Sequence, residues 1–570
     1  MLVGCAPARP DGPAPVTSDV SRLLDSLPLR DRIAQLVVPW IPGGYEPFDG
    51  EAFQTYERWV DSLHVGGVLI SIGSPMDVAA KLNRLQSRSA IPLLIGSDLE
   101  SGTTFRLVGA TGFPPNMGVG ASGRELDAYQ VGRVTAIEGR AVGIHITFAP
   151  VADVNNNPAN PIINTRSFGE DPTAVGRLVA AAVKGIQDHG MLATAKHFPG
   201  HGDTGTDSHL SLPVIEAGWA RLDSIELVPF RAAVAADVAA IMSGHIALPA
   251  IDSGHSRAAT VAPNIITALL RDSLGFDGIT MTDALNMGAL VNQYGPGEAA
   301  VLSFIAGADI LLQPADPWVT VAAMEEAVRS GRIPEARLNR SVERVLATKR
   351  RLGLFARRSV PLDSVADVVG RAEFQREAAE IAARSIVLAG DSTGVVDSLR
   401  AVPRKLTLVT YGEGATAGVG NTFAAELRAR GHDVTLVRLT PESGPVGYEA
   451  ARAALDGSPY ALFAVAIRGV ERRATIEVAS AIATLVDSTA MARPTALVSF
   501  GSPYIVMQTP HVGSFIAAWT TNAHNERAAA RALSGAAITG TLPVRIPPRY
   551  QIGAGLLRDA ADRASPAAGR

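Results

Sequence analysis

The sequence predicts an α/β protein, an N-terminal (β/α)8 TIM-type barrel followed by a C-terminal α/β sandwich domain. Three observations lead there. From about Val20 to Leu354, short apolar runs bounded by turn residues alternate with longer segments of helical spacing. The runs are apolar throughout rather than alternating, as strands covered on both faces are. Polar residues close the runs at the same end, at Asp98, Asp153, His197, His245 and Asp283. A β/α barrel carries its site at that end. A doubly wound open sheet is the alternative for the same β-then-α rhythm, and a shared polar mouth favours the barrel.

Taken in order, residues 1–18 open the chain with Leu2-Val3-Gly4-Cys5, which has the Leu-x-Gly-Cys form of a bacterial lipobox. The Pro-, Ala- and Gly-rich stretch after it has the composition of a tether. The expectation is an envelope protein anchored through a lipid on Cys5, or a cytoplasmic one where the match is accidental. The barrel is expected over 19–357. Its strand candidates are 66–71, 92–98, 146–154, 192–198, 239–245, 278–283 and 308–313. Helical patterns lie between them, such as 173–190 closed by Gly190, and 334–357 contains a helix closed by Gly353. A polar linker is expected over 358–374. The second domain, 375–557, has strand candidates 385–390, 405–412, 433–439, 460–467, 495–501 and 514–519, and residues 558–570 form a tail.

Composition excludes several classes. The 570 residues suffice for two large domains, each with its own core. Apolar residues make up 47% and charged ones 19%, unlike a disordered chain. The net charge of −4 offers no basic excess to neutralise phosphates, so nucleic acid is not an expected partner. A single Cys excludes an internal disulfide framework and a Cys-based zinc site. No run of about 18 apolar residues occurs, so the only expected membrane link is the lipid on Cys5.

Four segments carry chemistry. The richest is 196–213, KHFPGHGDTGTDSHLSLP, a strand end running into a polar loop. Pro and Gly break any helix there, so His197 and His201 lose the one-face spacing that a metal site on a helix uses. Lys196 and His197 are suited to a polar ligand. Asp207 and His209, two residues apart, are suited to a carboxylate that orients an imidazole and fixes its tautomer. The second segment, 280–288, places Asp283 at a strand end among Met281, Leu285 and Met287, where helix N-capping is the plainer reading. The third, 153–172, holds five Asn and then Arg166, and it is too long and polar for an ordinary βα turn. The fourth, 96–106, ends a strand with Asp98 and Glu100, carboxylates suited to hold hydroxyls through bidentate acceptance; its plainer reading pairs Glu100 with Arg106.

Together these segments resemble glycoside hydrolase family 3, in its β-N-acetylglucosaminidase branch. KHFPGHGDT…DSH and DVNNNPxNP…RSFGEDP are the most specific runs, and TDALNM matches the family's S/T-D-x-L-x-M nucleophile segment. The resemblance covers about residues 30–355, and two-domain members carry a sandwich such as 375–557. It implies Asp283 as nucleophile and His209 as general acid/base paired with Asp207. It implies Asp98, Arg166, Lys196 and His197 as ligands of the terminal sugar's hydroxyls, with no metal or organic cofactor. The implied activity is retaining exo-hydrolysis of terminal β-linked N-acetylglucosamine from peptidoglycan fragments or chito-oligosaccharides. A neutral imidazole donor repels an incoming anion less than a carboxylate does, which leaves phosphate open beside water as acceptor. The chain departs from the family's D-Q-E-G-G at Leu99 and Ser101, and again at Thr103-Thr104-Phe105, so the outer wall of the sugar pocket is where it differs.

Other readings are weaker. The β-glucosidase and β-xylosidase members of the family draw their acid from the second domain and lack the His/Asp loop. A non-catalytic sugar-binding lipoprotein would have lost Asp283 or the dyad. Gly412, Gly414 and Gly418 miss the dinucleotide spacing. The 390–394 match to a serine nucleophile elbow has no clear acid and His partners after it in the second domain.

Overall fold

A computed structural model describes residues 16–208, 210–467 and 476–561; the lipobox Cys5 lies outside them. The first sheet strands are β1 (Val37–Val38), β2 (Trp40–Ile41), β3 (Gly67–Ile70), β4 (Leu94–Ser97), β5 (Ile146–Thr147), β6 (Leu192–Phe198), β7 (Ala240–Ser243), β8 (Ile279–Thr282) and β9 (Leu311–Leu312). β2 through β8 pair in chain order, all parallel. β1 pairs with β9, and a parallel bridge from Met281 to Ile310 joins β8 to the β9 segment. β1 and β2 are two pieces of one strand interrupted at Pro39, whose carbonyl accepts from the Leu69 amide. The sheet therefore closes on itself as an eight-stranded barrel, with every strand residue but Trp40 buried.

The barrel expected from sequence holds, with two differences of detail. Its first strand is absent from the apolar runs, because Pro39 cuts the run into pieces too short to stand out. The 146–154 run is strand only over β5. After Thr147 it passes Pro150, and Val151 rejoins the sheet through a single bridge to Lys196.

The second sheet holds β10 (Val387–Asp391), β11 (Lys405–Gly412), β12 (Asp433–Leu439), β13 (Ala461–Ala466), β14 (Thr495–Ser499) and β15 (Ser514–Ala517). Its order is β10-β15-β14-β13-β11-β12, parallel except for β10 against β15. One face packs on Ala382, Val396, Leu399, Phe423, Leu427 and Leu533. The other packs on Ala451, Leu455, Ile482 and Val486, and that core includes Met117 and Ala121 from the barrel half of the chain. Helices on both faces make the expected three-layer sandwich. Ser392 is a turn residue whose hydroxyl donates to the Gly513 carbonyl, not a nucleophile elbow.

Polar contacts tie the two units together. Arg384 reaches Asp127 through two bonds (3.0 and 2.8 Å), and Arg133 holds Glu377. The Arg545 side chain and amide both donate to Glu170 (2.6 and 2.7 Å). Among the described residues, no helix is long and apolar enough to cross a membrane.

Candidate active site

The strand ends converge on one cavity of about 560 Å³ at the C-terminal mouth of the barrel. Its lining includes Asp98, Arg166, Lys196, His197 and Asp283. Asp98 follows β4, Lys196 and His197 stand near the C-terminal end of β6, and Asp283 follows β8. The buried strands hold these positions, so the side chains that leave the strand ends have little freedom of placement.

One side of the cavity is a buried ion-pair network. Arg166 holds Glu100 through two parallel bonds, Nε to Oε2 at 2.9 Å and Nη2 to Oε1 at 2.8 Å. Lys196 Nζ lies 2.8 Å from both Asp98 Oδ1 and Glu100 Oε1. Arg106 closes the set on Asp98 Oδ2 at 3.2 Å. Burial alone would raise both carboxyls. Lys196 and Arg106 outweigh it at Asp98, and Arg166 and Lys196 hold Glu100 well below the usual carboxylate range. Burial likewise opposes the charge on Lys196, yet Asp98 and Glu100 hold its ammonium above the ordinary value. The network therefore stays ionised at neutral pH. Removing one partner of such a buried pair leaves an uncompensated charge worth about 3–5 kcal/mol. The plainer reading of Glu100, paired with Arg106, does not hold: Glu100 joins Arg166 and Lys196, and Arg106 joins Asp98.

His197 is oriented from behind. Its Nδ1 donates to Asp153 Oδ2 (2.7 Å), and its Nε2 faces Arg166 Nη2 at 3.4 Å as an acceptor. Asp153 is fully buried and also accepts the amides of His197 (3.2 Å) and His201 (2.7 Å) through Oδ1. His201 serves the loop. The Thr204 hydroxyl donates to the His201 carbonyl, so His201 Nδ1 donates to Thr204 Oγ1 (2.7 Å) and Nε2 accepts from Ser208 (3.1 Å). Burial and the neighbouring His197 push the His201 ring down to about 4, so it is neutral near pH 7.

The loop after β6 is laced to the 153–172 loop. Asn160 Nδ2 donates to the carbonyls of His201 (2.8 Å) and Gly202 (2.9 Å). Gly202 lies so close to the chain that a Cβ there would fall 1.7 Å from the Val154 carbonyl oxygen. This brings Ser208 to the cavity lining, with Asp207 buried beside it. His209, the expected acid/base, lies outside the described residues.

Asp283 is not the N-cap of the following helix, which begins only at Gly288. Its Oδ1 accepts from the Ala284 amide (2.7 Å), and its own amide donates to the Ser243 carbonyl (3.1 Å). His245 Nε2 lies 3.0 Å from the Ala284 carbonyl, so the segment is pinned on both sides.

The arrangement joins one carboxylate on β8 to a facing cluster of hydrogen-bonding cations and carboxylates on β4–β6. Residues 28–348 match the family model described as the glycosyl hydrolase family 3 N-terminal domain. The chain belongs to glycosyl hydrolase family 3. It is a glycoside hydrolase, and the resemblance read from its motifs is correct at the level of the family. A Cellulomonas fimi protein named β-N-acetylglucosaminidase/β-glucosidase is 34% identical over 476 residues, covering 80% of this chain and 83% of its own. A Mycobacterium tuberculosis β-hexosaminidase is 33% identical over 345 residues, 56% of this chain and 82% of that one. Among solved structures, a family 3 β-N-acetylglucosaminidase from Paenibacillus sp. aligns with a TM-score of 0.82 at 32% identity, covering 91% of this chain and 99% of that one. A β-glucoside phosphorylase aligns with a TM-score of 0.84 at 26% identity, covering 93% and 97%.

Sequence reasoning put Asp153 among the polar endings of the mouth and read Glu100 with Asp98 as a hydroxyl-binding carboxylate, but carried neither Asp153 nor Glu100 into the final set of site residues. The signal for Glu100 was present: it sits two residues after Asp98, at the same strand end. Trp40 was missed with its strand.

Proposed function

We propose that this family 3 enzyme is a retaining exo-β-N-acetylglucosaminidase that removes a terminal β-linked N-acetylglucosamine from peptidoglycan fragments or chito-oligosaccharides. The observation that carries the reading is the single cavity in which Asp283 faces Asp98, Arg166, Lys196 and His197. The names of the C. fimi, M. tuberculosis and Paenibacillus relatives support the choice of sugar.

Asp98, Arg166, Lys196 and His197 hold the hydroxyls of the terminal sugar, with Glu100 fixing Arg166 and Lys196 in place. The Asp283 carboxylate attacks C1 as the bond from C1 to the leaving oxygen breaks, and His209 gives that oxygen its proton. Asp207 orients the imidazole and stabilises its charged form. In the second half, His209 takes a proton from water and the resulting hydroxide attacks C1. Asp283 departs as carboxylate, and the sugar leaves with its configuration retained. The Leu2-Val3-Gly4-Cys5 tetrad supports an envelope location with a lipid on Cys5.

The test is nitrophenol release from the β-N-acetylglucosaminide and the β-glucoside, run side by side with and without phosphate. The expected result is strong preference for the acetamido sugar, with free N-acetylglucosamine as product. Asp283→Asn is expected to lower kcat by about 10³-fold or more without lowering Tm. Wild-type kinetics in that variant end the assignment of Asp283, preference for the glucoside ends the choice of sugar, and a sugar 1-phosphate product replaces water by phosphate as acceptor.

A further inference from the structure

The wall of the cavity formed by the first barrel strand takes no part in the chemistry described so far. We infer that this wall is the subsite for the leaving group, where Trp40 receives the flat apolar face of the saccharide from which the terminal sugar is cut. Phe105 lines the same cavity, and Tyr45 and Ile72 stand exposed on the loops that follow Trp40 and Ser71. The inference rests on the glycosidase reading above and adds the site of the second sugar.

Position around the ring is the first argument. The charged hydroxyl ligands occupy the ends of β4 to β6, and the candidate nucleophile stands at the end of β8. The remaining arc of the mouth, from β9 through β1 and β2 to β3, contributes Leu312, Gln313, Trp40, Leu69 and Ser71 to the lining, with no charged group among them. A terminal sugar with its hydroxyls on β4–β6 and its C1 at Asp283 leaves that arc for the group beyond C1.

Depth is the second. Glu100, Lys196 and His197 are buried, whereas Trp40 is 41% exposed, Ile72 56% and Tyr45 78%. An exo-acting enzyme holds the terminal sugar deepest and the rest of the substrate at the mouth, which is the order of exposure seen here.

Construction is the third. The 42–46 loop that follows Trp40 is clamped by the buried ammonium of Lys81. It donates to the Pro42 and Gly44 carbonyls (both 2.8 Å) and to Glu46 (2.6 Å). A Cβ on Gly43 would lie 2.4 Å from the Ser71 carbonyl oxygen, so the two loops abut backbone to backbone. The Gly73 amide then donates to the Arg106 carbonyl (3.0 Å), which joins the third loop to them. On that loop the Arg106 guanidinium stacks on the Phe105 ring, 4.8 Å from its centroid, while also holding Asp98. The rim is thus one fixed surface that begins at a sugar ligand and ends at Trp40. A preorganised indole offers a large apolar area at little entropic cost, matched to the C–H face of a pyranose.

The test compares two measurements on the full-length enzyme. Inhibition by free N-acetylglucosamine reads the terminal-sugar site alone, and hydrolysis of di-N-acetylchitobiose reads both sites. Trp40→Leu keeps apolar bulk in the strand while removing the flat ring, and Trp40→Phe restores a ring. Trp40→Leu is expected to lower kcat/KM on chitobiose by about tenfold while the Ki of N-acetylglucosamine stays within about twofold, and Trp40→Phe is expected to recover most of the loss. A Ki that rises in step with the loss overturns the inference and moves Trp40 to the terminal-sugar site. Unchanged chitobiose turnover overturns it as well. A wild-type enzyme inactive on every β-N-acetylglucosaminide overturns the N-acetylglucosaminidase reading, and the subsite for the second sugar with it.

Discussion

The Asp153 carboxylate gives both oxygens to two histidines: it accepts His197 Nδ1 and the amides of His197 and His201. The imidazole is thereby left with Nε2 as its acceptor toward the cavity, so on the proposed function the carboxylate sets what His197 can offer a sugar hydroxyl. Asp153→Asn keeps the shape but turns an NH2 group toward donors. The expected outcome is a rise of about tenfold or more in the Ki of N-acetylglucosamine, the size of one unsatisfied buried donor, with kcat affected less. Unchanged inhibition in a folded variant would mean that His197 keeps its orientation without Asp153. At this scale the sequence was informative where a polar residue closes a strand, as for Asp98, Lys196, His197 and Asp283, which line one cavity. It was silent on partnerships. That Glu100 pairs with Arg166 rather than Arg106 follows from which strand ends are neighbours in the closed barrel, which no local spacing encodes.

Among elements, the 153–172 loop depends most on distant contacts. Its length marks it as functional, but what holds it is out of sight in the sequence. Asn155 Nδ2 donates to the Tyr504 hydroxyl (2.8 Å), a residue 349 positions away. Glu170 takes two bonds from Arg545, and its amide donates to the Pro543 carbonyl (2.9 Å). The second unit therefore supports the loop that delivers Arg166, and among the described residues it does so without entering the cavity lining. Tyr504→Phe strips Asn155 of its acceptor in a buried place. We expect a KM increase of about three- to tenfold with a smaller change in kcat, because the damage is to placement of Arg166 rather than to bond breaking. A kcat loss with KM unchanged would contradict this support role. The strands themselves were legible because parallel strands buried on both faces are uniformly apolar. The first barrel strand was not, since Pro39 splits it and Trp40 turns outward at the mouth.

Over the whole molecule, the two ends of the barrel divide labour. The C-terminal mouth holds a network in which the charges of Asp98, Glu100, Arg166 and Lys196 compensate one another. The opposite end holds a buried cation without that compensation. Lys349, on the helix Glu335–Arg351 that closes the barrel half, is buried and donates to the neutral amide oxygen of Gln35 at 2.6 Å. Gln35 in turn donates to the His64 carbonyl (2.8 Å). With no carboxylate beside it among the described residues, burial pushes the Lys349 ammonium down to about 7. An unfolded lysine titrates near 10.4. Between those values the unfolded chain binds the proton that the folded chain has released, so this residue's contribution favours folding more as pH rises. Its cost is fully present below about pH 7, falls through the interval and vanishes above about pH 10. Lys349→Met keeps the length of the side chain and removes the charge. The variant is expected to exceed wild type in Tm most at pH 6–7, with the gap narrowing steadily toward pH 10, while kcat at the far mouth stays within about twofold. Thermal unfolding of both proteins across that range decides it. A gap that does not change with pH would mean that Lys349 stays protonated in the folded barrel, held by something other than Gln35.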